Sequence, residues 1–210
     1  MSNARVRYAT IGGMARPREQ TRRREQLIAA ASSAMLEHGS SGLRLADIAK
    51  EAGLTSASVL YYYPDVRELY TAVFAQGGDE YCTHREARVE EAETPEAKLA
   101  ACIASGIPWP GAAEEASRIL YELTPIVLRN PAAAAENATL IARQTALYER
   151  VLRLCAESGR FRLRLPVDVL ARSFIALEDG YGVNVLTGDL TPETEHRWLL
   201  DYAGIMVAAV

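Results

Sequence analysis

The chain has 210 residues, 49% of them hydrophobic and 24% charged, which is enough to build one large or two modest cores and excludes disorder throughout. No apolar run approaches the ~20 residues of a membrane span, and the N-terminal arginines lack the following apolar core of a secretory signal. The net charge of −4 is split unevenly, +3 over residues 1–70 (ten Lys/Arg, seven Asp/Glu) and −7 over residues 71–210 (thirteen and twenty), as expected if only one end meets phosphate.

Residues 1–17, with Arg5, Arg7, Arg16, Gly12, Gly13 and Pro17, lack helical periodicity. They read as a flexible basic arm able to follow a DNA backbone, or else as a tail with no fixed role. Arg18, Arg22, Arg23 and Arg24 come next, at the expected start of the first helix. Positive charge there opposes the helix dipole, so either a phosphate or solvent should receive it. Over residues 21–38, Leu27, Ile28, Ala31, Met35 and Leu36 form one apolar stripe, and Gly39 stands where the helix should end.

Residues 45–62, LADIAKEAGLTSASVLYY, organise the rest. Ile48, Ala49 and Ala52 share a helical face. Gly53 can take the positive φ of a tight reversal, Leu54 plugs the corner, and Thr55 is placed to cap a second helix. Val59 and Tyr62 turn that helix back onto the first, and small Ala49 permits the close crossing. The pattern is that of a DNA-binding helix-turn-helix, with an ordinary αα-hairpin as the alternative. Tyr63-Pro64-Asp65 then breaks the chain. Asp65 with Glu68 suggests a capping box ahead of Leu69, Tyr70, Val73 and Phe74.

Residues 20–74 resemble the N-terminal domain of the TetR/AcrR family of transcriptional regulators. The resemblance rests on Leu27-Ile28-Ala29-Ala30-Ala31, Gly39, Asp47-Ile48-Ala49, Ala52-Gly53-Leu54-Thr55, Tyr61-Tyr62-Tyr63 and Leu69. The chain departs from the family pattern in having Leu43 and Arg44 for a Thr pair, Ala57 for a common Gly, Leu60 for a common Tyr and Val66 for a common Lys. Leu60 cannot donate to a phosphate, so Tyr61 is the expected substitute. Arg44, at the start of the second helix, can supply a charge instead.

The fourth helix is expected from Asp65 to about Glu93, with a possible interruption at Gly77-Gly78 and a charged, solvated second half (Glu80, Arg85, Glu86, Arg88, Glu90, Glu91). Thr94-Pro95-Glu96 restarts a helix with Pro in its first position, and GIPWPG over residues 106–111 is a loop. A helix follows from about Ala112 to Asn130, broken or kinked by Pro125. Others run from Pro131 to Ser158, from Pro166 to Leu186, and from Pro192 to the C-terminus, with residues 160–165 as connector. No convincing strand run is present, so the expectation is an all-α fold of about nine helices. The boundaries are 1–17 for the arm, 18–74 for the DNA-binding domain and 75–210 for a ligand-binding and dimerisation domain.

The last two helices are apolar nearly all round and call for cover on several sides, by the chain's own core or by a partner subunit. The resemblance implies the second, a four-helix bundle in a homodimer. Leu177, Gly180, Tyr181, Val185, Leu199, Tyr202, Ile205 and Met206 are its candidate interface. Candidate cavity walls are Trp109, Leu120, Tyr121, Leu123, Pro125, Tyr148, Phe174 and Glu178, each of which could equally be core. Candidate DNA contacts are Thr55, Ser56, Ala57 and Ser58 toward base edges, and Arg44, Lys50 and Tyr61 toward phosphate. Tyr62 and Tyr63 read as core.

Catalytic and metal patterns fail. His38, His84 and His196 have no ligand spacing, and Asp179-Gly180-Tyr181-Gly182 lacks a preceding strand and the dinucleotide spacing. Cys82, Cys102 and Cys155 are scattered and read as reduced thiols. The expectation is a cytoplasmic, ligand-responsive regulator, a repressor that binds double-stranded DNA as a homodimer and is released by a small-molecule effector. No enzyme activity, cofactor, metal or membrane partner is expected. The alternative is a small-molecule sensor whose hairpin docks a protein.

Overall fold

The computed structural model describes residues 12–209, with side-chain surroundings from Arg18 onward. They form two compact units dividing between Tyr70 and Thr71, close to the expected boundary at 74. The first holds α1 (Gly12–Gly42), α2 (Leu45–Glu51), α3 (Ser56–Tyr62) and the opening turn of α4 (Val66–Glu90). Leu27, Ala31 and Met35 of the α1 stripe are buried, as are Ile48, Ala49, Val59 and Leu69. Polar ties lock the packing. Gln26 Nε2 donates to the Ala52 carbonyl at 2.8 Å, and Arg24 Nη2 donates to the Tyr62 carbonyl at 3.1 Å. The Arg24 guanidinium also lies 5.0 Å from the centre of the Tyr63 ring.

The start of the chain differs from expectation. Residues 12–17 are helical, and residues 1–11 of the expected arm lie outside the described residues. Arg18, Arg22, Arg23 and Arg24 therefore sit beyond the first turn of α1, where the dipole no longer bears on them. Arg22 and Arg23 pair with Glu19, each at 3.4 Å. The helical geometry of α1 does break at Gly39, at φ 68°.

Gly53 closes the turn between α2 and α3 at φ 64°. A Cβ there would meet no atom within 4 Å, so replacing the glycine costs backbone strain and nothing else. Gly53→Ala is expected to lose about 1–2 kcal/mol, read as a lower urea midpoint at unchanged slope. An unchanged midpoint would contradict this account of the turn.

The second unit holds the rest of α4, then α5 (Pro95–Gly106), α6 (Ala112–Glu122), α7 (Thr124–Val127), α8 (Pro131–Glu157), α9 (Val167–Thr187) and α10 (Pro192–Met206). Three of these helices begin on one device, a polar cap followed by proline. Thr94 accepts the Ala97 N–H, Asn130 the Ala132 N–H and Thr191 the Thr194 N–H. Pro125 does split the expected 112–130 helix, taking the start of α7. Gly77-Gly78 does not interrupt α4. The core gathers Ile103, Leu147, Tyr148, Val151, Leu152, Leu170, Phe174 and Leu199 from α5, α8, α9 and α10.

Two corrections concern the C-terminal end. Residues 161–163 form a strand, β1 (Phe161–Leu163), and α10 stops at Met206 to give β2 (Val207–Ala209). They pair antiparallel, Phe161 opposite Ala209 and Leu163 opposite Val207. The signal was the alternation of Arg160, Arg162 and Arg164 with Phe161 and Leu163, a period of two that suits a half-covered strand. The fold is all-α apart from this ribbon, with ten helices among the described residues. None of them is long and apolar enough to cross a membrane.

Candidate nucleic-acid interface and internal cavity

The hairpin presents the expected polar face. Thr55 caps α3, its Oγ1 accepting the Ser58 N–H at 3.2 Å and lying 2.9 Å from Ser58 Oγ. Those hydroxyls are thus engaged locally, while Ser56 is half-buried and Ala57 exposed. Tyr61 is 71% exposed and Tyr63 only 4%, so adjacent tyrosines divide between surface and core; Tyr62 is intermediate. Lys50 is exposed. Arg44 is the N-cap of α2, and its Nε donates to Asp47 Oδ2 at 3.1 Å while its side chain remains 80% exposed. Hydrogen bonds from the Arg44 side chain and then its backbone hold the Asp47 carboxyl below the usual range. An exposed pair of this kind contributes little stability and can exchange its carboxylate for a phosphate.

The second unit holds a partly open cavity of about 610 Å³, a size suited to a small organic molecule. Phe74 and Tyr81 of α4 form one wall, Leu120 and Tyr121 of α6 another, with Thr124 and Val127 of α7, Leu140, Ile141 and Gln144 of α8, and Glu178, Asp179 and Gly182 of α9. Behind Glu178 lies a buried polar network that sequence reasoning missed. Arg85, 1% exposed, donates from Nη2 to Glu178 Oε1 and from Nη1 to Oε2, both at 2.9 Å. It also reaches Gln144 Oε1 at 2.8 Å, the Cys102 carbonyl at 2.9 Å and Tyr81 Oη at 3.0 Å. The Tyr148 hydroxyl donates to Glu178 as well. Gly106 makes room for this pair, since a Cβ there would overlap the Glu178 carboxylate.

Of the eight expected wall residues, Leu120, Tyr121 and Glu178 line the cavity. Leu123, Tyr148 and Phe174 are fully buried core instead, Phe174 stacked on Tyr148 at 4.9 Å. Pro125 is exposed. Trp109 packs against the core cluster, its Nε1 donating to the Ala104 carbonyl and its ring edge-on to His196. Apolar character alone does not separate a cavity wall from a core. Among the described residues no group of three or more His, Cys, Asp or Glu could hold a metal ion.

Residues 27–73 match the family model described as "Bacterial regulatory proteins, tetR family". The N-terminal domain belongs to the TetR family of DNA-binding transcriptional regulators. No curated protein matches the chain, but solved structures do. A putative TetR-family regulator from Rhodococcus sp. is 21% identical at a TM-score of 0.74, over 90% of this chain and 100% of that one. A putative transcriptional regulator from Saccharomonospora viridis, in complex with choline, is 20% identical at 0.82, over 90% and 99%. A transcriptional regulator from Bacillus subtilis, in complex with stearoyl-CoA, is 17% identical at 0.68, over 89% and 98%. At these identities the likeness is one of fold, and it extends beyond the TetR-family domain to nearly the whole chain.

The expected dimer face of this chain is only partly a surface. Gly180 and Ile205 are exposed, and Leu177, Tyr181, Val185, Tyr202 and Met206 are half-buried. Leu199 is fully buried in the subunit's own core, so it offers nothing to a partner. The large apolar residues that α9 and α10 do expose are Val169, Val183, Trp198, Leu200 and Ile205. Alternating apolar positions could have indicated this, but an all-round apolar helix does not reveal which side faces out.

Proposed function

We propose that this chain is a cytoplasmic, ligand-responsive repressor that binds a pseudo-palindromic operator as a homodimer and leaves it when a small molecule fills the cavity. The observation that carries the reading is the TetR-family hairpin, with Arg44, Lys50, Ala57 and Tyr61 on its exposed side. In the proposed complex α3 enters the major groove, Ser56 and Ala57 nearest the bases, and Arg44, Lys50 and Tyr61 hold phosphates. Two half-sites about 34 Å apart then require two copies of the head. The exposed apolar residues of α9 and α10, with Gly180 between them to allow close approach, are the proposed dimer surface. Choline and stearoyl-CoA in the two relatives support a ligand in the second unit, and α4, which carries cavity residues and continues into the first unit, is the proposed relay. The effector acts by binding the DNA-incompetent state more tightly, and about 1–3 kcal/mol of such coupling suffices.

The test is selection from randomised duplexes at two salt concentrations. A pseudo-palindrome should be enriched, with affinity falling steeply as salt rises. Arg44→Ala should then weaken binding to every sequence alike and lower the salt slope by about 1. Tyr61→Phe should weaken it with no change in motif or slope. Absence of any enriched motif, with salt-insensitive binding, would remove the DNA reading and favour a hairpin that docks a protein.

A further inference from the structure

We propose that the cavity selects an organic cation, a quaternary ammonium or protonated amine carrying apolar groups. The proposal rests on the reading of the cavity as the effector site and adds the chemical class of the effector. The cavity lining contains carboxylates and no Lys, Arg or His among the described residues. Arg85 reaches the lining residues Tyr81 and Gln144, but Glu178 holds both of its terminal nitrogens, so its charge is spent within the wall. Two further carboxyls have no ion pair among the described residues, one on the lining and one buried in α10. Asp179 follows Glu178 on the lining. Glu195 of α10 is 0% exposed, and neither of its oxygens has a hydrogen-bond partner among the described residues.

These groups register one another. Burial and then the charge of Glu178 push the Glu195 carboxyl up to about 8, and the same two causes in the same order raise Asp179. Arg85, and more weakly Arg172 of α9, draw Asp179 back only in part. Tyr121 is raised by burial and then by Asp179. With Arg85 and Glu178 offsetting one another, Asp179 is the carboxylate that leaves the lining negative, and Glu195, pushed up to about 8, adds a second negative charge only above that pH. The aromatic side chains of Phe74 and Tyr121 on the same lining suit a cation, as Tyr81 already does for the Arg85 guanidinium 5.3 Å from its ring centre. An anionic ligand would enter against that field and find no base to receive it.

Three probes with one phenyl ring each separate the possibilities: benzyltriethylammonium, the neutral N,N-diethylphenylacetamide and the anion 6-phenylhexanoate. They are titrated calorimetrically into the full-length protein, into Gly182→Trp, and into Asp179→Asn/Glu195→Gln. Gly182→Trp fills the cavity, since even an added Cβ would stand 3.0 Å from Tyr121 Oη. The expected result is at least tenfold tighter binding of the cation than of the amide, with the anion weakest. Gly182→Trp should abolish that binding, and the double carboxyl variant should shrink the preference at least threefold. An amide or anion that binds as tightly as the cation, and is lost in Gly182→Trp, overturns the charge proposal and leaves the effector cavity standing. Failure of all three probes to bind overturns both. A cation preference untouched by Gly182→Trp overturns the placement.

Discussion

Arg85→Met is expected to destabilise the protein by about 3–5 kcal/mol, because it strands the Glu178 carboxylate in the interior. Glu178 is 4% exposed and Arg85 1%, so water can compensate neither. Removing the guanidinium leaves the Cys102 carbonyl with the Ser105 hydroxyl, but it takes the donor from the Gln144 side-chain carbonyl, which adds to the loss. Arg85→Met/Glu178→Gln should recover most of it, since the Tyr148 hydroxyl can donate to the amide oxygen as it does to the carboxylate. Urea unfolding of the two variants checks this. A single variant within about 1 kcal/mol of wild type would mean that the pair is not buried in solution as it is here.

Stability is also expected to fall between about pH 4.5 and pH 8 because of Glu195, and Glu195→Gln should remove that fall. The carboxyl titrates near its ordinary value of 4.5 when unfolded and about 8 when folded. The folded state therefore binds more protons in this window, and stability is fully present below the lower value and lost as pH rises through the upper one. The slope can reach about 1.4 kcal/mol per pH unit. The cause is burial first and the Glu178 charge second, with no donor at either oxygen to offset them. Glu195→Gln should match wild type near pH 5 and exceed it by a few kcal/mol near pH 8.5. Parallel stability curves for the two proteins over pH 5–8.5 would rule this out.

Both predictions concern residues that composition conceals. Arg85 stands in a run of charges that reads as solvated, yet Gly78, Cys82, Arg85 and Val89 are all buried. Their spacings of four, three and four place Arg85 on the inward face of α4. Glu178 is inward for the same reason, following Phe174 by four residues and preceding Gly182 by four. A charge that falls in phase with an apolar stripe was the available signal, and it requires a partner elsewhere in the chain. That Arg85 and Glu178 find one another, 93 residues apart, is a fact of packing.

The hairpin was legible in the sequence because local rules decide it. Gly53 permits the turn, Thr55 caps the helix after it, and Ile48, Ala49 and Val59 face inward at helical spacing. The helix starts at Pro95, Pro131 and Pro192 were legible for the same reason, each cap and proline being neighbours in the chain. Only the tertiary structure decided which apolar residues of the second unit border empty space and which fill the core. Phe174 and Leu120 are equally apolar, and what separates them is whether a neighbour occupies the volume beside them. The same holds for Leu199, which the sequence placed on a dimer surface and the packing of α10 against α5 and α9 buries. Local sequence carries backbone preference and periodicity; the occupancy of space around a side chain depends on every element that can reach it.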